Sequence, residues 1–205
     1  MRQQDNTQSK APAKPNAALA AAVEEAVKVL RAGGLILYPT DTVWGIGCDA
    51  TNEEAVQRIY ALKKSENKHS MLVLCYSADE LVRYVNRAPG IAFEVMEMAT
   101  SPLTLILSGA TGVAKNLIPE EGTLGVRIPN HEFCQALLRK LGRPLVSTSA
   151  NISGEKTPRR LPEIAEEIVA GVDLVIHPRF EGRPTGKASS IIAFGENGEV
   201  RVIRE

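Results

Sequence analysis

The stretch Leu35-Ile36-Leu37-Tyr38-Pro39-Thr40-Asp41-Thr42-Val43-Trp44-Gly45-Ile46-Gly47 decides how the rest of the chain is read. Leu35 to Tyr38 is an unbroken apolar run with the length and composition of a buried strand. Pro39 ends it, because proline has no N–H to give to a sheet ladder. Two threonines, an aspartate, the only tryptophan of the chain and two glycines follow. Hydroxyls at alternate positions, and glycines without a Cβ, let a backbone come close to a ligand. Thr, Asp and Gly are also ordinary turn residues, so the stretch taken alone reads equally as a strand end and a turn.

Working outward, helices and strands alternate with short connections. Ala17 to Arg31 is expected to be a helix, with Leu19, Val23, Ala26, Val27 and Leu30 on one face and Gly33-Gly34 ending it. Thr51-Asn52-Glu53-Glu54 has the pattern of a capping box. It opens a helix to about Lys64, with Ala55, Ile59 and Leu62 on its buried stripe. Ser70 to Cys75 reads as a strand, and Ala78 to Val85 and Ile91 to Ala99 as helices separated by Pro89-Gly90. Strands follow at Leu103 to Leu107 and Leu124 to Ile128. Asn130 is the expected cap of a helix carrying Phe133, Leu137, Leu138 and Leu141, with Gly142 stopping it. A strand at Leu145 to Ser147, a loop, a helix at Pro162 to Ala170, and strands at Val172 to Ile176, Ser190 to Phe194 and Val200 to Ile203 complete the chain. This is an α/β pattern with a mixed sheet.

The 205 residues are enough for one sizeable domain. Lys and Arg number 24 and so do Asp and Glu, so a general nucleic-acid coat is excluded and only a local basic patch is left open. The three cysteines are far apart with no Cys-x-x-Cys pair, which points to neither a zinc site nor a disulfide framework. Reduced thiols in a cytoplasmic protein are the simplest account. No apolar run has the length of a membrane span. Residues 1–15, rich in Gln, Asn, Lys and Pro, read as a disordered tail ahead of a single domain at 16–205.

The central segment, YPTDTVWGIGCDA, closely resembles the YPTDTVYGLGCDA signature of the YrdC family of threonylcarbamoyl-AMP synthases, and further resemblances recur along most of the chain. The resemblance implies a twisted, partly open mixed sheet with helices around a deep concave cavity. It also implies synthesis of threonylcarbamoyl-adenylate and pyrophosphate from L-threonine, bicarbonate and ATP, a nucleotidyltransferase reaction. The product feeds the N6-threonylcarbamoyladenosine modification of tRNA through a tRNA threonylcarbamoyl-transferase machinery.

The site residues follow from matched motifs. Leu62-Lys63-Lys64-Ser65-Glu66-Asn67-Lys68-His69 is by chemistry a solvated helix end whose lysines complement the helix dipole. The family places Lys-x-Arg here, with cations on the ATP phosphates. Lys63 matches the lysine, but Ser65 replaces the arginine and lacks its bidentate fork. Lys64 or Lys68 would restore charge without that geometry, and His69 is a weaker ATP-binding candidate. Ser101-Pro102-Leu103-Thr104 partly resembles a family turn and otherwise reads as a strand entry. Thr123-Leu124-Gly125-Val126-Arg127-Ile128-Pro129 resembles Thr-Val-Gly-Val-Arg-Ile-Pro, whose threonine and arginine serve the substrate pocket. If Gly125 and Arg127 share a strand face, that face is open and charged. Ser147-Thr148-Ser149-Ala150-Asn151-Ile152-Ser153-Gly154 contains the family's Ser-Ala-Asn-x-Ser-Gly, although out of context it is a Ser/Asn-rich turn. Thr157 corresponds to a nucleotide-contacting position. Gly186-Lys187-Ala188-Ser189-Ser190-Ile191 resembles Gly-x-Glu-Ser-Thr-Val, with Ala188 in place of glutamate. Arg204 matches an arginine lying against the nucleotide, or else is a frayed terminus.

The resemblance therefore implies Lys63, Arg127, Ser149 and Asn151 as the catalytic set and Thr42, Arg127 and Ser189 around L-threonine. It implies Lys63, His69, Thr123, Ser149, Asn151, Thr157 and Arg204 around ATP. Mg²⁺ would be carried by the triphosphate, since no protein metal cage is visible. No Ser-His-Asp or Cys-His set appears, which suits a reaction driven by positioning and electrostatics. Two rival readings stay open. One is a YciO-like paralogue with weak or no synthase activity, favoured by Ser65, Thr100-Ser101 and Ala188. The other is a protein that binds double-stranded RNA or tRNA through Lys63, Lys64, Lys68, Arg159 and Arg160.

Overall fold

Strand β1 (Ile36–Tyr38) is covered on both faces, as its unbroken apolar run requires. Leu35 and Leu37 point into one hydrophobic core and Ile36 and Tyr38 into a second one on the opposite side. The computed structural model describes residues 17–65, 71–195 and 198–205, so the expected N-terminal tail, Lys68 and His69 lie outside the described residues. The remaining strands are β2 (Gly45–Gly47), β3 (Leu72–Leu74), β4 (Leu103–Ser108), β5 (Thr123–Arg127), β6 (Leu145–Ser149), β7 (Leu174–Val175), β8 (Ser190–Phe194) and β9 (Val200–Arg204). They form one mixed sheet in the order β7-β1-β2-β6-β3-β5-β4-β8-β9.

The helices are α1 (Ala17–Arg31), α2 (Glu53–Leu62), α3 (Gly90–Met98), α4 (Glu132–Leu141) and α5 (Glu166–Ala170). α1 buries the five residues expected from its periodicity and packs with α4 over Ile36, Tyr38, Leu74 and Leu145. The opposite face, with Leu37, Ile46, Val73, Leu105, Val126 and Val146, is covered by α2, α3 and their connections. Along β4, Leu105 and Leu107 enter that core, so Thr104, Ile106 and Ser108 face the other way. There α1 and α4 do not reach. The β5-β4-β8-β9 part of that face is left bare, and with Leu72 at the edge of β3 it forms the floor of a cavity of about 900 Å³. The twisted α/β sheet with a concave cavity expected from the sequence is thus present.

Several local expectations are corrected. The chain after Pro39 turns only briefly, and Gly45–Gly47 returns as β2, antiparallel to both β1 and β6. Gly47 serves packing rather than ligand approach. A Cβ there would lie 2.6 Å from the Val146 carbonyl oxygen and 2.8 Å from the Tyr38 ring. Asn52, not Thr51, caps α2: its side chain accepts from the Ala55 N–H at 3.0 Å, while the Thr51 hydroxyl donates to Asp49. His131 rather than Asn130 caps α4, because its ring nitrogen is the one facing the Cys134 N–H. Residues 78–83 form a 3-10 helix. The helix expected over Pro162 to Ala170 is split, because Ile164 is extended and turns into the core between Leu161–Glu163 and α5.

Gly47→Ala is expected to cost about 1–3 kcal/mol through overpacking. Gly90→Ala meets no atom within 4 Å at an ordinary backbone angle, and should be neutral or stabilising by roughly 0.4–1 kcal/mol. Urea unfolding of both variants checks this, and equal effects would show that close approach of β6 does not constrain position 47.

Candidate functional site

The loop between β1 and β2 is built around the Thr40 hydroxyl. It donates to the Val43 carbonyl at 2.7 Å and accepts from the backbone N–H groups of Thr42 and Val43. Thr40 Oγ1 also lies 2.8 Å from Thr42 Oγ1. The single Thr40 proton is already on Val43, so Thr42 must be the donor in that pair. Thr42 Oγ1 then accepts from Arg127 Nη1 at 2.9 Å and keeps one lone pair for a further donor. Arg127, at the end of β5, is only 4% exposed, and its Nη2 pairs with Asp41. Gly125 and Arg127 do share a strand face. It is open at Gly125, but at Arg127 it is closed by Asp41 and Thr42.

These residues enclose a small pocket of about 130 Å³ whose walls include Thr40, Thr42, Trp44, Arg127, Ser147, Ser149, Ser189 and Arg204. Leu72 and Arg204 border both this pocket and the 900 Å³ cavity, so the two adjoin. Thr123 lines the larger cavity together with Thr104, Arg201 and Arg204. One wall of the small pocket is β6. Tyr38, whose phenol pKa is pushed well up by burial, donates to Ser147 Oγ at 2.8 Å. Another wall is the 181–189 segment. It is tied to the central loop by Thr185 N–H on the Asp41 carbonyl, Gly186 N–H on the Thr42 carbonyl and Trp44 Nε1–H on Glu181.

Residues 28–205 match the Sua5/YciO/YrdC family, described as telomere recombination. The chain belongs to this family. The Escherichia coli K12 protein named "Uncharacterized protein YciO" is 33% identical over 186 residues, covering 89% of this chain and 88% of that protein. Its crystal structure superposes with a TM-score of 0.79 and 31% identity over 90% of this chain and 89% of that one. The threonylcarbamoyl-AMP synthase of Idiomarina loihiensis is 36% identical over 146 residues, covering 70% of this chain and 78% of that enzyme. P. abyssi Sua5, crystallised with L-threonine, matches with a TM-score of 0.76 and 28% identity over 84% of this chain and 50% of its own.

Around these two pockets the residues expected from the sequence are partly brought together. Thr42, Arg127, Ser149, Ser189 and Arg204 converge on the small pocket, and Thr123 and Arg204 on the large one. Lys63 does not line either. Its side chain is buried beneath the Ser149–Asn151 segment, where Nζ donates to the Ser149 carbonyl at 2.7 Å and the Asn151 carbonyl at 2.6 Å. The Ser153 N–H in turn donates to the Lys63 carbonyl. Burial brings the ammonium down to about 8. The expectation of a solvated helix end therefore fails at Lys63 and holds at Lys64, which forms an exposed ion pair with Glu167 and borders neither pocket. The Asn151 amide donates to the Ile152 and Glu155 carbonyls, and its Oδ1 is buried without a partner. Thr157 borders neither of the two adjoining pockets. Arg204 is no frayed end: Nε and Nη2 both donate to the Ser189 carbonyl, at 2.9 and 2.7 Å. Thr104, read as a strand entry, is 2% exposed and lies 2.7 Å from Ser189 through their hydroxyls. Its alternation with Leu103 and Leu105 was the available signal. Among the described residues no three His, Cys, Asp or Glu side chains group as metal ligands would.

Lys63→Met removes both donors from buried carbonyls, and should cost about 1.5–3 kcal/mol or more in urea unfolding. The pH dependence has a definite sign. Between about pH 8 and the ordinary lysine value of 10.5, the native state has released a proton that the unfolded state still holds, so stability rises with pH over that window. Wild type should gain on Lys63→Met from pH 8 to pH 10, and parallel stability curves would place the ammonium in water.

Proposed function

We propose that this protein is an L-threonylcarbamoyladenylate synthase. It would make threonylcarbamoyl-AMP and pyrophosphate from L-threonine, bicarbonate and ATP for tRNA modification in the cytoplasm. The observation that carries this reading is the joining of a pocket of about 130 Å³ to a cavity of about 900 Å³ through shared walls at Leu72 and Arg204. The small pocket suits one amino acid, and the large one has the dimensions of a cofactor site. L-threonine in the P. abyssi Sua5 crystal structure supports the same assignment.

Arg127 meets the threonine carboxylate, since a guanidinium matches that group's geometry. The remaining Thr42 lone pair accepts from a substrate N–H or O–H, and Ser189 offers a hydroxyl whose proton is shared with Thr104. The threonine nitrogen adds to carbon dioxide derived from bicarbonate and loses a proton, giving an N-carboxylate. A carboxylate oxygen then attacks the ATP α-phosphorus, and the bond to the pyrophosphate oxygen breaks. The protein aligns two anions and supplies dipoles and charge, with no covalent nucleophile. Mg²⁺ enters as part of the substrate, with the triphosphate. In this reading Lys63 holds the Ser149–Asn151 segment in shape from behind.

The alternative is a YciO-like protein with weak or no synthase activity. It is favoured by Ser65 in place of arginine and by the match to YciO over 89% of the chain.

Incubation with ATP, L-threonine and bicarbonate should release pyrophosphate only when all three are present. Release that continues without threonine would refute the assignment, and none under any condition would select the alternative. Arg127→Lys keeps charge but loses the fork. It should raise the threonine KM by about tenfold or more while leaving the ATP KM nearly unchanged. A variant that instead lost ATP binding would move Arg127 to the phosphate site.

A further inference from the structure

Asp41 sits between two residues that line the small pocket, yet does not line it itself. Asp41 instead borders two surface clefts to which Arg127 does not contribute. It is held there firmly. One oxygen takes Arg127 Nη2, the other accepts the Asn130 N–H at 3.1 Å, and the Asp41 backbone carbonyl accepts the Thr185 N–H at 2.9 Å. The side chains of Asp41 and Arg127 are 12% and 5% exposed, so water offers the pair little competition. On the guanidinium, one N–H of Nη1 goes to Thr42 and one of Nη2 to Asp41, whereas the Nε–H is buried with no protein partner. A buried N–H without an acceptor is costly and marks a place where an acceptor is expected.

We infer that Asp41 is a positioning residue: it fixes the rotation of the Arg127 guanidinium so that the Nε edge is kept for the carboxylate of an α-amino acid. The identity of that ligand rests on the function proposed above. Free rotation about the last bonds of the side chain would spread the five N–H groups of Arg127 over several orientations. With Asp41 on Nη2 and Thr42 on Nη1, one orientation is favoured, and the ordering is done before the ligand arrives. Charge neutralisation alone would require only an anion nearby. The backbone tethers on Asp41 point to a requirement for place as well as charge.

The variants Asp41→Asn and Asp41→Glu separate the two. The first keeps the shape and loses the charge, and the second keeps the charge and moves it by one methylene. Side-chain ¹⁵N NMR of the ligand-free proteins reads Arg127 directly. In wild type, rotation about its Cζ–N bonds should be slow, and in both variants it should become fast. In steady-state assays, Asp41→Asn should raise the L-threonine KM about ten- to a hundredfold. Asp41→Glu should raise it several-fold, and the ATP KM should stay within about twofold in both. A wild-type threonine KM and slow rotation in Asp41→Glu would reduce Asp41 to a counter-charge and overturn the inference. Equal rises in both KM values would overturn it too, by making the effect one of general stability. If Asp41→Asn does not fold, Asp41→Glu decides by the same readings. If wild type neither binds nor turns over L-threonine, the proposed function falls. The NMR comparison then decides Asp41 alone: unchanged rotation in the variants refutes positioning and freed rotation upholds it.

Discussion

A loop that turns its N–H groups and hydroxyls toward a ligand must leave its carbonyls facing somewhere else, and here three of them face cations, the buried Lys63 and the exposed Arg204. Lys63 takes the carbonyls of Ser149 and Asn151, and Arg204 takes that of Ser189. Lys63 holds one wall of the small pocket from behind, and Arg204 is itself part of the lining. The central loop is held by backbone N–H groups on its Asp41 and Thr42 carbonyls and by the Asp41–Arg127 pair. A buried ammonium or guanidinium is costly unless its donors are used, and a buried carbonyl is costly unless it receives one. Each group answers the other's requirement, and the pocket keeps its shape without a ligand. This division of labour also bears on Ser65. Ser65 in place of the arginine leaves the Lys63 clamp intact, since the clamp rests on Lys63 and two carbonyls alone.

The sheet provides the other half of the arrangement. Its two cores are unequal in extent on the face carrying α1 and α4, which stop at β3. The bare strands beyond them expose a floor that is apolar at Ile106, Ile191 and Ala193 and polar at Thr104, Ser108 and Thr123. A nucleotide-sized cavity therefore follows from helix length and placement, with no special cavity-forming element.

Periodicity made the helices legible: the five buried residues of α1 are those its spacing requires. It failed at β2, because glycine carries no hydropathy signal and the strand is defined by what its missing Cβ admits, the Val146 carbonyl and the Tyr38 ring. Caps went to the neighbouring residue at both Asn52 and His131, since several side chains in each stretch can accept an N–H and tertiary packing selects among them. Of the residues offered by motif matching, Thr42, Arg127, Ser149, Ser189 and Arg204 line the small pocket. The matching had no means of telling a side chain that faces a ligand from one that faces a carbonyl. Lys63 and Asp41 illustrate that limit in opposite senses. The matched lysine lies behind the wall, and the unassigned aspartate has a definite place beside the matched arginine.

The register of β2 has a kinetic consequence. Gly45 pairs with Ser149, and Ile46 with Thr148, so the short hairpin at the heart of the pocket is completed only by a strand a hundred residues further along. Contacts of that sequence separation form late, because the entropy of closing the intervening chain must be met before they contribute. A fragment that ends before β6 lacks the pocket wall that carries Ser147 and Ser149. Ligand occupancy of the completed pocket adds to the stability of the fold as RT ln(1 + [L]/Kd).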